Sequence, residues 1–212
     1  MRSFATAFPP AMLRDVQAGT IAYTYKGLRC IKDPFDLAIY LRLLWDLRPK
    51  SLIEIGSNQG GGALWFADML SVMGLLPCPV VSIDRNPVTR LTDPRIAFLA
   101  GEAARLGETL TTQLRAALPH PWLVIEDSAH SYEVTLAALR FLAGATVAGD
   151  VVVIEDGVLS DLGMDEKYNG GPNRALAEFL VASPETFRVL TPYCDMFGMN
   201  ATYNPNGYLL RL

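Results

Sequence analysis

Five short runs set the terms of the fold: Ser51–Gly56 (SLIEIG), Val80–Asp84 (VVSID), Ile96–Gly101 (IAFLAG), Trp122–Asp127 (WLVIED) and Val151–Asp156 (VVVIED). Each is rich in aliphatic and β-branched residues, and each closes on an acidic residue or glycine. A strand wetted on one face would alternate polar with apolar; continuous apolar character marks strands covered on both faces. Between the runs lie longer stretches of helical period, at Pro34–Leu47, Gly61–Met73, Glu102–Leu118, Tyr132–Leu142 and Pro172–Val181. In the first of these Phe35, Leu37, Ile39, Tyr40, Leu43 and Leu44 are the apolar positions, and Pro34 suits a first helical turn. Strand–helix alternation predicts a parallel sheet with helices on both faces and right-handed crossovers. Two further runs, Phe187–Thr191 and Tyr208–Leu212, are joined by PYCDMFGMNATYNPNG, which has no helical period and carries turn residues at Asn204–Gly207. A non-helical link permits an antiparallel pair, which brings the expected sheet to seven strands.

Composition narrows the classes of function. The chain has 212 residues, 50% hydrophobic and 19% charged, enough to bury a full core without disulfides or structural metal and too apolar for a disordered chain. One domain over 33–212 is expected, preceded by an arm or cap over 1–32. Eighteen basic residues against 22 acidic ones leave a net charge of -4 and no basic surplus for nucleic acid. No run reaches the ~18–20 apolar residues that span a bilayer, and the first residues lack a continuous apolar stretch, so neither membrane span nor signal peptide is expected. Cys30, Cys78 and Cys194 form no CxxC and no disulfide framework, which fits a reducing cytoplasm.

Ligands of open α/β sheets sit at the carboxyl ends of the strands, where strand order reverses. The first run continues as Glu54-Ile55-Gly56-Ser57-Asn58-Gln59-Gly60-Gly61-Gly62, and the second ends at Asp84, placed to bond a ribose diol. At the offsets of GxGxxG the turn offers Gly56, Asn58 and Gly61, so the second glycine that admits a pyrophosphate is missing. A sulfonium nucleoside has no phosphates and is served by a carboxylate such as Glu54. S-adenosyl-L-methionine (SAM) is therefore favoured over NAD, with an NAD-type oxidoreductase on the same sheet as the second reading. A third is a non-catalytic SAM-binding partner that assists a hydroxylation or methylation enzyme.

The fourth run leads into Glu126-Asp127-Ser128-Ala129-His130 and the fifth into Glu155-Asp156-Gly157. If those strands are neighbours, ~4.8 Å apart, Asp127, Glu155 and Asp156 come within reach of one another. Three carboxylates on one edge repel unless something positive compensates. Apart from Arg140, no Lys or Arg lies near either cluster in sequence, and hard oxygen ligands without paired Cys or His suit Mg²⁺, Mn²⁺ or Ca²⁺ better than zinc. His130, with a pKa near neutral, is the candidate general base. Val158–Pro172, with Gly163, Gly170 and Gly171, reads as a lid. Phe4, Phe8, Tyr23 and Tyr25 are expected to cover the site or a neighbouring subunit, and Tyr193–Tyr203 to pack in the core and at the sheet edge.

These residues bring a family into view. Stretches such as IEIGSNQGGGALWFADML, VIEDSAHSYEVTLAALR, VVVIEDGVLSDLG and DMFGMNATYNPNGYL make the chain, from about Tyr25 onward, resemble the cephalosporin hydroxylase / rhamnosyl O-methyltransferase family of class I SAM-dependent methyltransferases, which is similar to metal-dependent macrolide-sugar O-methyltransferases. The resemblance implies a Rossmann-like α/β fold with a seven-stranded mixed sheet in the order 3-2-1-4-5-7-6. It implies SAM, Mg²⁺ or Mn²⁺, a hydroxylated small-molecule acceptor and a homo-oligomer. The cofactor set becomes Glu54, Gly56, Ser57, Gly60, Gly61, Asp84, Glu102, Asp127 and Ser128; the metal set becomes Asp127, Glu155 and Asp156; His130 becomes the base. Gly62 departs from the family, which often has Ser there, and loosens one contact expected to the methionine carboxylate.

Overall fold

The computed structural model describes residues 2–86 and 88–212. Seven strands form one sheet: β1 (Ser51–Ile55), β2 (Val80–Asp84), β3 (Ile96–Ala100), β4 (Trp122–Glu126), β5 (Val151–Ile154), β6 (Phe187–Val189) and β7 (Tyr208–Arg211). Their order is β3-β2-β1-β4-β5-β7-β6. The first five are parallel, while β7 runs antiparallel to both β5 and β6. This is the order 3-2-1-4-5-7-6 that the family resemblance implies.

Parity along the strands explains the double burial. Leu52, Val80, Leu123, Ile125, Val151 and Val153 face one apolar cluster, under α2 (Pro34–Leu47) and α3 (Gly61–Val72). Their chain neighbours Ile53, Val81, Val124, Val152 and Ile154 face the other, under α4 (Tyr132–Ala145) and α5 (Gly171–Ala182). Both parities are apolar, so the strands read as unbroken apolar runs. Helix starts follow local chemistry. Asp33 caps α2 by accepting from Phe35 N and Asp36 N at 2.9 and 3.2 Å, with Pro34 in the first turn. Ser131 caps α4 by accepting from Val134 N at 3.4 Å.

Two sequence expectations change. The single helix over 102–118 is instead a 3₁₀ turn at Ala103–Arg105 and two short helices, Leu106–Thr109 and Thr112–Ala117. The break falls at Leu110, and Thr111 then caps the last piece through Leu114 N. The arm is more ordered than its sequence suggests. It contains a 13-residue helix, α1 (Pro10–Ala22), and a hairpin pairing Thr24–Tyr25 with Leu28–Arg29. Lys26 and Tyr25 tie that hairpin to Asp68 of α3, at 2.6 and 3.0 Å. The lid segment holds a 3₁₀ turn at Gly157–Leu159 and a short helix at Asp165–Tyr168. Of the Tyr193–Tyr203 stretch, Cys194, Ala201 and Tyr203 are buried as expected, but Met196, Phe197 and Met199 are exposed. Among the described residues no helix is long and apolar enough to cross a membrane.

Candidate active site

A cleft of about 550 Å³ opens at the carboxyl ends of β1, β2 and β4. Its apolar walls include Ile31, Ile55, Ile83 and Val134, and its polar rim includes Asp84, Glu102, Asp127, Ser128, His130 and Asp156. Gly56 makes the cleft's inner turn at φ 111°, and a Cβ there would run into the carbonyl of Asp127. Only glycine lets the end of β1 lie this close to the end of β4. Half-buried Asp84 accepts from Asn58 N of the β1 turn and from Asn86 N, at 3.0 and 2.8 Å. Apolar walls around one fixed carboxylate suit a nucleoside, with the base against the walls and the ribose hydroxyls on the acid.

Other residues of the expected cofactor set lie behind this surface. Glu54 is 1% exposed and accepts from Ser82 Oγ at 2.5 Å, while Ser57 Oγ meets Ser82 Oγ at 2.6 Å. Gly60 and Gly61 begin α3 under the turn, Gly61 against the carbonyl of Arg29. These four shape the turn from below. Gly62 has a local reason too, since a Cβ there would strike Glu54 Oε1. Burial pushes Glu54 up to about 7, against the pull of Lys32 and Ser82.

The tips of β4 and β5 do lie side by side. The register pairs Glu126 with Ile154, Glu155 N donates to Glu126 O at 3.0 Å, and Asp127 N donates to Ile55 O at 2.8 Å. Ligand atoms of Asp127, His130 and Asp156 all fall within 4.8 Å of one another, and His130 Nε2 stands 3.3 Å from Asp156 Oδ2. His130 and Asp156 both hold left-handed backbones, at φ 55° and 61°, a region that Asp and His enter more readily than most residues with a Cβ. The Val158–Pro172 segment borders this corner. Tyr168 meets the His130 ring edge-on at 6.1 Å, and Gly171 lies against its carbonyl.

Glu155 sits differently from its two neighbours. It is 5% exposed, and its oxygens accept from Lys32 Nζ at 2.8 Å and from Tyr40 Oη. Lys32 Nζ also reaches Asp127 Oδ2 at 2.5 Å. The expectation that no basic side chain attends the acidic tips is thus corrected, because Lys32 arrives from the start of α2, far away in sequence. Arg140 is exposed on α4 and takes no part. Lys32 carried no sequence signal of its own, though its place beside the capping Asp33 anchors it at a helix start.

One ammonium facing three carboxylates leaves two negative charges uncompensated, the charge of one divalent cation. Burial raises Asp127 and Asp156, and it pushes Glu155 up to about 7 with help from Asp127. Burial opposes the charge on Lys32, but Asp127, Glu155 and Glu54 outweigh it and hold the ammonium well above its ordinary value. Burial likewise opposes the imidazolium of His130, and Asp156 and Asp127 reverse that, raising it above 6.5. The oxygen-rich donor set, with space among Asp127, His130 and Asp156, fits Mg²⁺ or Mn²⁺.

Sheet order and cleft together define a nucleoside-binding domain of the class I methyltransferase type. A profile of the family Rhamnosyl O-methyltransferase/CmcI matches residues 18–212. A Rhamnosyl O-methyltransferase of Mycobacterium leprae (strain TN) is 30% identical over 193 residues, covering 89% of this chain and 82% of that protein. A solved structure of CmcI described with Mg and SAM is 27% identical, with a TM-score of 0.70 over 91% of this chain and 77% of that one. MycE, a methyltransferase of mycinamycin biosynthesis solved with Mg, SAH and mycinamycin VI, is 16% identical with a TM-score of 0.58 over 98% of this chain and 55% of that one, a likeness of fold alone. The chain belongs to the Rhamnosyl O-methyltransferase/CmcI family and is a methyltransferase.

Proposed function

We propose that this chain transfers a methyl group from SAM to a hydroxyl of a sugar or other natural product, assisted by Mg²⁺ or Mn²⁺. The observation that carries the reading is the convergence of Asp127, His130 and Asp156 at the rim of a nucleoside-sized cleft. Asp84 holds the ribose hydroxyls, with Glu102 and Ser128 on the same rim. Asp127, Asp156 and Glu155 would hold the cation, Glu155 from the position where Lys32 and Tyr40 fix its carboxylate. When bound, SAM supplies an electrophilic methyl and the cation supplies Lewis acidity and a template for an oxygen-bearing acceptor.

The chain's own residues do the rest. His130 takes the proton of the acceptor hydroxyl, and Asp156, beside Nε2, orients the ring and strengthens its grip on that proton. Lys32 keeps Asp127 and Glu155 pointed together and limits their mutual repulsion. Tyr168 and the lid exclude water from the His130 side. The first 32 residues act as a cap. Free, buried Cys30, Cys78 and Cys194 suit a reducing cytoplasm. A homo-oligomer is part of the same proposal, and exposed Met196, Phe197 and Met199 offer it an apolar contact.

The test is methyl transfer from labelled SAM to a rhamnoside, with and without chelator. Asp127→Asn is expected to abolish metal-dependent turnover while S-adenosylhomocysteine still binds. Full activity in chelator would remove the cation from the account.

A further inference from the structure

The turn Asn204-Pro205-Asn206-Gly207 is buried, unlike most turns. Asn204 and Asn206 are each 1% exposed. Pro205 and Asn206, the latter left-handed at φ 55°, suit the two middle positions of a type II turn. Gly207 N closes it by donating to Asn204 O at 2.8 Å. Gly207 has no room for a Cβ, which would stand 2.2 Å from Ile154 O. The turn is thus pressed against the last residue of β5, two positions before Asp156.

Contact continues past the strand. Ile154 N donates to Gly207 O at 2.9 Å, Asp156 N to Asn204 Oδ1 at 3.1 Å, and Val158 N to Tyr203 O at 3.0 Å. Alternate N–H groups of the segment that carries Asp156 are therefore held by the stretch 203–207. The outer two bonds end on backbone. The middle one, at Asp156 itself, ends on a side chain, because the turn engages the Asn204 carbonyl with Gly207 N. An N–H can only donate, so the oxygen of the Asn204 amide faces Asp156 and its nitrogen faces away. That nitrogen donates to Tyr208 Oη at 3.2 Å, and Tyr208 Oη donates to Asp36 of α2 at 3.0 Å. Asn204 N donates to Thr202 Oγ1 at 3.0 Å, and Thr202 Oγ1 in turn donates to Asp36. Asn204 is anchored twice to α2, the element that also brings Tyr40 to Glu155.

Asp156 needs such a hold more than its neighbours do. Lys32 fixes the carboxylates of Asp127 and Glu155 directly, and Tyr40 adds a second bond to Glu155. Among the described residues the Asp156 carboxylate meets only His130, at 3.3 Å. Its position depends on its backbone, which is left-handed at φ 61°. A residue with a Cβ stays in that region when its surroundings hold it there.

We propose that Asn204 is a positioning residue, whose side-chain amide fixes the backbone of Asp156 so that the carboxylate stands ready for a divalent cation. The inference rests on the cation reading of Asp156 and adds the residue through which the fold sets it. Groups that orient a metal ligand from behind typically govern affinity ~10–100-fold.

The test is calorimetric titration of the S-adenosylhomocysteine-loaded protein with Mg²⁺, for the parent, Asn204→Ala and Asn200→Ala, with chemical unfolding of each. Asn200 is the control. It is fully buried and ties the outer side of the same loop, accepting from Asn206 N at 3.2 Å and donating to Ser3 O at 2.9 Å. Asn204→Ala is expected to weaken Mg²⁺ binding ~10–100-fold, to keep its S-adenosylhomocysteine affinity, and to regain turnover as Mg²⁺ is raised. Asn200→Ala is expected to lose stability and keep its Mg²⁺ affinity. Equal weakening by both variants means a general loosening of the loop and overturns the proposal. So does an Asn204→Ala protein that binds Mg²⁺ as tightly as the parent. Should the alanine variant fail to fold, Asn204→Ser, whose hydroxyl is too short to hold both partners, carries the same comparison. A parent that binds no Mg²⁺ removes the cation reading and the proposal with it, a failure seen in the parent and so distinct from one seen in the variants.

Discussion

At the scale of single residues, the site depends on how Lys32 and His130 manage a surplus of negative charge. Lys32 is buried with its charge, and its partners Asp127 and Glu155 are 18% and 6% exposed at the side chain. Removing one member of a buried ion pair leaves the others uncompensated, a loss of ~3–5 kcal/mol. Lys32→Met is expected to lose about that much stability in urea unfolding without divalent cation, and to recover part of it when Mg²⁺ is added. His130→Gln is expected to lower kcat by ~10²–10⁴-fold with little change in nucleoside affinity, the usual contribution of a positioned base. Steady-state kinetics with separate S-adenosylhomocysteine titration checks both halves. His130 was legible in the sequence because it lies three positions from Asp127 at a strand tip. Lys32 was not, because its bonds to Asp127 and Glu155 span 95 and 123 residues and no local spacing records them.

Elements were legible to the degree that burial shaped their sequence. The β strands are apolar on both parities because helices cover both faces, so their positions, and the acidic tips of β4 and β5, could be read directly. α1 was missed because it buries so little. Met12 and Ile21 stay 39% and 47% exposed, its inward stripe is half polar, and it carries no capping side chain. The region 102–118 failed for the opposite reason. Its apolar spacing suits one helix, yet the chain turns at Leu110 to bury that side chain fully. In the turn after β1, Gly56 lines the cleft, while Gly60 and Gly61 sit at the start of α3, Gly60 against Phe98 and Gly61 against the carbonyl of Arg29. Gly56→Ala would force a Cβ onto the Asp127 carbonyl at a backbone angle glycine alone accepts easily. It is expected to cost more than ~1 kcal/mol in chemical unfolding and to weaken S-adenosylhomocysteine binding at least tenfold, because the strain displaces β4's tip from the cleft.

For the whole molecule, the buried acids set how stability varies with pH. Burial holds Glu54 at about 7 in the fold against 4.5 for the free group, so the folded chain binds the proton more tightly than the unfolded one. Its contribution is fully present below 4.5 and is lost as pH rises through about 7. Glu54→Gln keeps the neutral shape, so its stability relative to the parent is expected to be greater at pH ~8 than at pH ~5 by denaturant unfolding. The same surplus of negative charge is what a divalent cation would relieve, and it is felt by one of only two histidines in the chain. His120 lies apart, bonded to Asp150 at 2.8 Å. The decisive measurement is therefore an NMR titration of the His130 imidazole in the S-adenosylhomocysteine-bound protein, with and without saturating Mg²⁺. A cation held by Asp127 and Asp156 predicts that His130 titrates above the ordinary imidazole value without Mg²⁺ and moves clearly downward when it is added. A His130 curve indifferent to Mg²⁺ would contradict the account.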